Sequence, residues 1–109
     1  MNMINSLILE CVMLGEVSDA GLFHVKSERH SKVGDMNVTT SVTVLCQIPE
    51  TMMESVKNFA TDGSGLRIVG RLDTLYGGEV GIFVEHIEYK FPPKKETVIR
   101  KGKYNFKQD

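Results

Sequence analysis

Tryptophan is absent from this 109-residue chain, cysteine occurs twice and proline three times. Without tryptophan, any flat surface for stacking must be assembled from Tyr, Phe or His. Cys11 and Cys46 stand 35 positions apart with no CxxC spacing. That is too sparse for a disulfide scaffold or a thiolate metal site, so reduced, buried thiols are expected. Long apolar runs are missing too. Leu7-Ile8-Leu9 is broken by Glu10, and no Lys or Arg precedes it. Neither a signal peptide nor a membrane span is supported, and the expected location is the cytoplasm. The length allows one core with a tail, and a composition 41% apolar and 25% charged fits a globular domain, not a disordered or coiled-coil chain.

The formal net charge of −1 conceals two unlike parts. Residues 1–89 carry 6 Lys or Arg against 12 Asp or Glu, a net −6, and residues 90–109 carry 7 against 2, a net +5. An acidic body with a basic end points to nucleic-acid, acidic-protein or self-association partners and is silent about fold.

Periodicity supplies the fold. Apolar residues from Ile4 to Val17 suit a long first strand, and the turn residues Ser18-Asp19-Ala20-Gly21 lead into the alternating segment Phe23 to Lys26, so a hairpin joins strands one and two. After Gly34-Asp35, the β-branched run Val38 to Val44 makes a third strand. Pro49 fits a helix start, with Glu50 and Glu54 near that end. Met52, Met53, Val56, Phe59 and Ala60 fall on one helical face, and Asp62-Gly63 stops the helix. Leu66 to Leu72 and Val80 to Ile87 form two further strands about the connection Tyr76-Gly77-Gly78-Glu79. Phe23, Phe59 and Phe83 are expected in the core. Phe91-Pro92-Pro93 ends the sheet, leaving 92–109 as a flexible, basic tail beyond a domain spanning 1–91. The order β-β-β-α-β-β predicts an all-β OB-fold, a five-stranded Greek-key barrel with one short helix between strands three and four.

Four segments, Asn5 to Glu10, Ser27 to His30, Val69 to Thr74 and Val84 to Tyr89, taken in this order, resemble the family of bacterial single-stranded DNA-binding proteins. Asn5-Ser6-Leu7-Ile8-Leu9-Glu10 is similar to its opening strand, and Ser27-Glu28-Arg29-His30 to its Ser-Glu-Arg-Trp segment. Val69-Gly70-Arg71-Leu72-Asp73-Thr74 resembles its Gly-Arg-Leu block, and Val84 to Tyr89 its closing strand. The departures matter. Cys11 stands where the family usually has glycine, and Glu16-Val17-Ser18-Asp19 replaces a basic turn. His30 occupies the place of a tryptophan, Tyr76 falls near another, and Tyr104 to Asp109 replaces the family's acidic tip. The resemblance implies single-stranded DNA binding without strong sequence preference in replication, recombination or repair. It also implies a homo-oligomer, tetramer or dimer, contact with replication or repair proteins, and no cofactor or membrane. The missing tryptophan and acidic tip point to an accessory member.

Such binders need cations that follow phosphates and side chains on which bases stack. The candidates are Lys26, Arg29, Lys32, Arg67 and Arg71 for phosphate, with His30 and Tyr76 for stacking; Arg71 is the one that the resemblance sets beside the groove. In the tail, Lys94, Lys95, Arg100, Lys101, Lys103 and Lys107 interleave with Tyr104 and Phe106, a pattern suited to nucleic acid or to a neighbour's acidic surface. Catalysis has little support. His86-Ile87-Glu88 matches half of a deaminase signature without its cysteines, and Gly63-Ser64-Gly65 lies between a helix and a strand, the reverse of a phosphate-binding loop. The other class of function is a protein-interaction module of a replication assembly, resembling primosomal replication protein N, with weak or no DNA binding. The acidic body favours it.

Overall fold

A computed structural model describes residues 3–91. The basic segment 92–109 lies outside them. Five strands, β1 (Leu7–Leu14), β2 (Leu22–Val33), β3 (Met36–Gln47), β4 (Gly65–Thr74) and β5 (Val80–Phe91), close into a barrel in the order β1-β2-β3-β5-β4. A helical turn, Glu50–Met52, and α1 (Met53–Phe59) connect β3 to β4. The expected OB-fold is the observed one. No helix among the described residues is long and apolar enough to cross a membrane.

Closure depends on β1 serving two neighbours. Leu7 to Val12 pair with β4, while Val12 to Leu14 pair with β2. The Asn5 amide extends the β4 ladder, accepting from the Leu72 N–H at 3.0 Å and donating to its carbonyl at 2.8 Å. The seam is a short parallel pairing, Cys46 with Ile82 and Gln47 with Phe83. It requires β5 to pass very close to β3, and Gly81 permits this: a Cβ there would run into the Leu45 carbonyl oxygen and the Leu75 side chain.

Alternation sends Met13, Phe23, Val25, Cys46, Leu66, Ile68 and Val84 inward, where all are buried. Each such side chain contributes about 1.5–3 kcal/mol when removed from water. The helix covers the end of this core. It is only seven residues long, too short to persist without packing, and it holds through Val56, which is fully buried, and Ala60, with Met52 and Met53 partly buried against the same cluster. Both cysteines are free and buried. Burial pushes the Cys11 thiol up to about 11 and, with Cys11 nearby as a second cause, the Cys46 thiol up to about 12.

Three expectations need correction. The first strand is shorter than its apolar pattern, because β1 ends at Leu14 and Gly15 turns the chain with φ +71°. Phe59 is exposed at the end of α1, where its ring meets Tyr89 at 5.8 Å. Phe83 faces outward on β5 and lies only half buried beneath Arg71, whose guanidinium carbon is 4.6 Å from the ring centre. A helical face and an alternating strand each carry boundary residues that periodicity counts as core.

The β2–β3 ribbon is the most unusual part. Its register is unbroken from Leu22↔Gln47 to Val33↔Met36, yet β1 pairs with β2 only as far as Lys26. From Ser27 to Val42 the ribbon therefore runs on without backbone pairing to β1, as a two-stranded arm about 20 Å long at roughly 3.3 Å per residue, its root still held by the Ser27 hydroxyl on the Glu10 carbonyl. The sheet alternation continues along it and defines two faces.

Candidate nucleic-acid interface

The face continuous with the barrel's exterior carries Lys26, Glu28, His30 and Lys32 from β2. Directly opposite them on β3 stand Thr43, Ser41, Thr39 and Asn37. Every pair is polar. His30 Nδ1 lies 2.9 Å from the Thr39 hydroxyl oxygen, its Nε2 lies 4.0 Å from Glu28 Oε1, and its side chain is 73% exposed. Lys26 forms an ion pair with Glu28 at 3.3 Å, whereas Lys32 has no ion-pair partner among the described residues. Around β1 the same exterior continues into a cleft of about 500 Å³ lined by Glu10, Lys26, Glu28 and Lys90, in which Lys90 is bound to Glu10 at 3.1 Å.

The β4–β5 turn bears on the same side. Gly77 and Gly78, both with φ +96°, form its tip, and the Leu75 N–H donates to the Glu79 carbonyl at 2.8 Å. Leu75 is buried next to Gly81 and the β3 backbone at Leu45. The Tyr76 N–H donates to Gln47 Oε1 at 2.8 Å, which anchors the turn to the end of β3. The Tyr76 ring is left 68% exposed. A ligand running along β3 thus meets Tyr76 at the barrel end and Lys32 near the arm's tip.

The remaining sequence candidates lie elsewhere. Arg29 stands opposite Thr40 on the other face of the arm and has no ion-pair partner among the described residues. Arg67 is on the β1–β4–β5 wall, in register with Glu10 on one side and Glu88 on the other. Arg71 is held by two carboxylates, Asp73 at 3.2 Å from Nε and Glu85 at 2.8 Å from Nη1, besides lying over Phe83. Lys26, His30 and Lys32 are therefore brought into one row, with Tyr76 beyond its barrel end, while Arg29, Arg67 and Arg71 are not in it.

Sequence reasoning missed the β3 half of the row, Asn37, Thr39, Ser41 and Thr43, and the anchoring role of Gln47. Polar residues at alternate positions from Asn37 to Thr43 were the available signal. Only the pairing register shows that they share a face with the cations. His86 and Glu88, 3.2 Å apart, are an exposed pair on β5, and no group of three or more metal-ligating side chains occurs among the described residues.

No family model matches the sequence, and no curated protein is significantly similar to it. Solved structures do share its shape. The single-stranded DNA-binding protein of Plasmodium falciparum, solved with single-stranded DNA, superposes with a TM-score of 0.65 at 9% identity, covering 82% of this chain and 96% of that one. A small single-stranded DNA-binding protein from Streptomyces coelicolor gives 0.60 at 10% identity with the same coverage. PriB from Ralstonia solanacearum gives 0.53 at 16% identity, covering 82% of this chain and 100% of that one. At such identities the likeness is one of architecture, and the chain is an OB-fold protein built as those single-stranded DNA-binding proteins and PriB are.

Proposed function

We propose that this protein binds single-stranded DNA with little sequence preference along the exterior of the β2–β3 ribbon, in support of replication, recombination or repair, and without catalysing a reaction. The observation that carries the reading is the row of Lys26, His30 and Lys32 against Thr43, Ser41, Thr39 and Asn37, ending at the exposed Tyr76 ring. Short hydroxyls and cations suit a sugar–phosphate backbone, and His30 and Tyr76 offer faces to bases of any identity. The architecture shared with two single-stranded DNA-binding proteins supports it.

A homo-oligomer belongs to the same proposal. Between Leu7 and Cys11, β1 has β4 on one edge and, among the described residues, no strand on the other, where the Ser27 hydroxyl donates to the Glu10 carbonyl at 2.8 Å. An open edge beside Ile8, 60% exposed, suits pairing with a second copy.

A second reading, a protein-interaction module of a replication assembly with weak or no DNA binding, is favoured by one observation. The acidic body retains few unpaired cations, since Lys26, Lys57, Arg71 and Lys90 are each bound to carboxylates. Fluorescence anisotropy of a labelled thymidine oligonucleotide, titrated at low and moderate salt, separates the two. Saturable binding weakened by salt supports the first, and a flat titration supports the second.

A further inference from the structure

The other face of the β2–β3 arm has a different chemistry. In register, from the root to the tip, it carries Ser27 with Val42, Arg29 with Thr40, Ser31 with Val38, and Val33 with Met36. It continues the parity that buries Phe23, Val25 and Cys46 inside the barrel, so it is the core-facing side of the sheet carried out past the core. Val33 and Met36 are 63% and 67% exposed, and Val42 is 54% exposed. Near the root, an open groove beside Ile8 and Glu10 of β1 takes in Arg29 and Val42 of this face together with Glu28 and Ser41 of the other.

Resting on the reading above, we propose that this inner face is a second contact surface for the same unpaired strand. Bases would lie against Val33, Met36 and Val38, and the Arg29 guanidinium would take a phosphate or stack on a base. The arm would then be gripped by nucleic acid on both sides. Two observations select this occupant. Arg29 has no carboxylate partner among the described residues, whereas most cations of the barrel do, so its charge remains for an anionic ligand. It also sits one register step from Val38 and two from Val33 and Met36, an alternation of cation and apolar surface that matches a chain of alternating phosphates and bases. A protein partner of ordinary hydrophobic type would leave Arg29 desolvated without a counter-charge.

The test uses the full chain and a labelled thymidine oligonucleotide, with anisotropy read at several salt concentrations and assembly followed by sedimentation. The double variant Val33→Ser/Met36→Ser is expected to weaken binding about fivefold or more while leaving the salt slope unchanged, because apolar contacts release no counterions. Arg29→Ala is expected to lower the slope by about 0.7, the share of one phosphate contact on a single strand. Met36→Tyr should tighten binding several-fold by adding a ring at the tip. Binding by the double variant within about twofold of the parent would overturn the inference and leave the outer row intact. So would a loss of affinity that appears together with a change of assembly state, which would mark the face as a contact between copies. If the parent chain itself gives a flat titration, the failure lies with the DNA-binding reading.

Discussion

Replacing Lys32 should change how salt affects DNA binding, and replacing Arg71 should not. Two cations without an ion-pair partner among the described residues, Arg29 and Lys32, stand on the arm within reach of a bound strand, whereas Lys26 at its root is paired with Glu28. At about 0.7 per phosphate on a single strand, they predict a slope of log affinity against log salt near −1.4. Raising salt from about 50 to about 200 mM would then weaken binding roughly 7-fold, and the Lys32→Ala variant, with a slope near −0.7, only about 2.6-fold. Arg71 must surrender Asp73 and Glu85 and leave the Phe83 ring before it can reach a phosphate. Such an exchange of one counter-charge for another releases few ions, so Arg71→Ala should keep the parental slope. Anisotropy titrations of the three proteins at four or more salt concentrations supply the slopes. If Arg71→Ala flattens the dependence as much as Lys32→Ala does, or if Lys32→Ala changes nothing, assigning contacts by which cations lack partners is refuted.

Tyr76→Ala should weaken binding by about 1–3 kcal/mol, the worth of one stacked base, while leaving the melting temperature almost unchanged, since the ring is exposed and the anchoring bond uses its backbone N–H. Gly81→Val places a side chain against the Leu45 carbonyl and the Leu75 side chain at the seam, and should cost about 1–3 kcal/mol or more, read as a lowered midpoint in thermal melting. The buried thiols set an alkaline limit. Both are raised from 9.0, to about 11 at Cys11 and about 12 at Cys46, so the folded protein keeps protons that the unfolded chain releases. Stability is therefore full below about pH 9 and declines as pH rises towards 11–12. Denaturant midpoints measured between pH 8 and 10.5 should fall less steeply in Cys11→Val than in the parent, and equal slopes would exclude the Cys11 thiol as a cause.

The element order was legible because each strand buries one face against a shared core, and a period of two survives in the residues whatever lies beyond them. Pro49, Asp62 and Gly63 bounded the helix, and Val56 and Ala60 its buried side, from local rules alone. Phe59 and Phe83 escaped those rules because hydrophobicity does not tell a core residue from one at the rim. The site was legible only in part. Lys26, His30 and Lys32 share a face by alternation, but nothing local distinguishes a free lysine from a neutralised one. The resemblance set Arg71 beside the groove, and only the fold shows that Glu85 stands across from it on β5 and pairs with it.

The sequence by itself determined the strands, the helix, their order and the alternation of polar and apolar side chains, because backbone geometry and burial impose these over a few residues. Tertiary structure alone decided the register between β2 and β3, the point at which β1 lets go of them, and the partners of each charge. Those depend on groups tens of residues apart in the chain, so the arm with two unlike faces, and the cations left free on it, exist only once the barrel has closed.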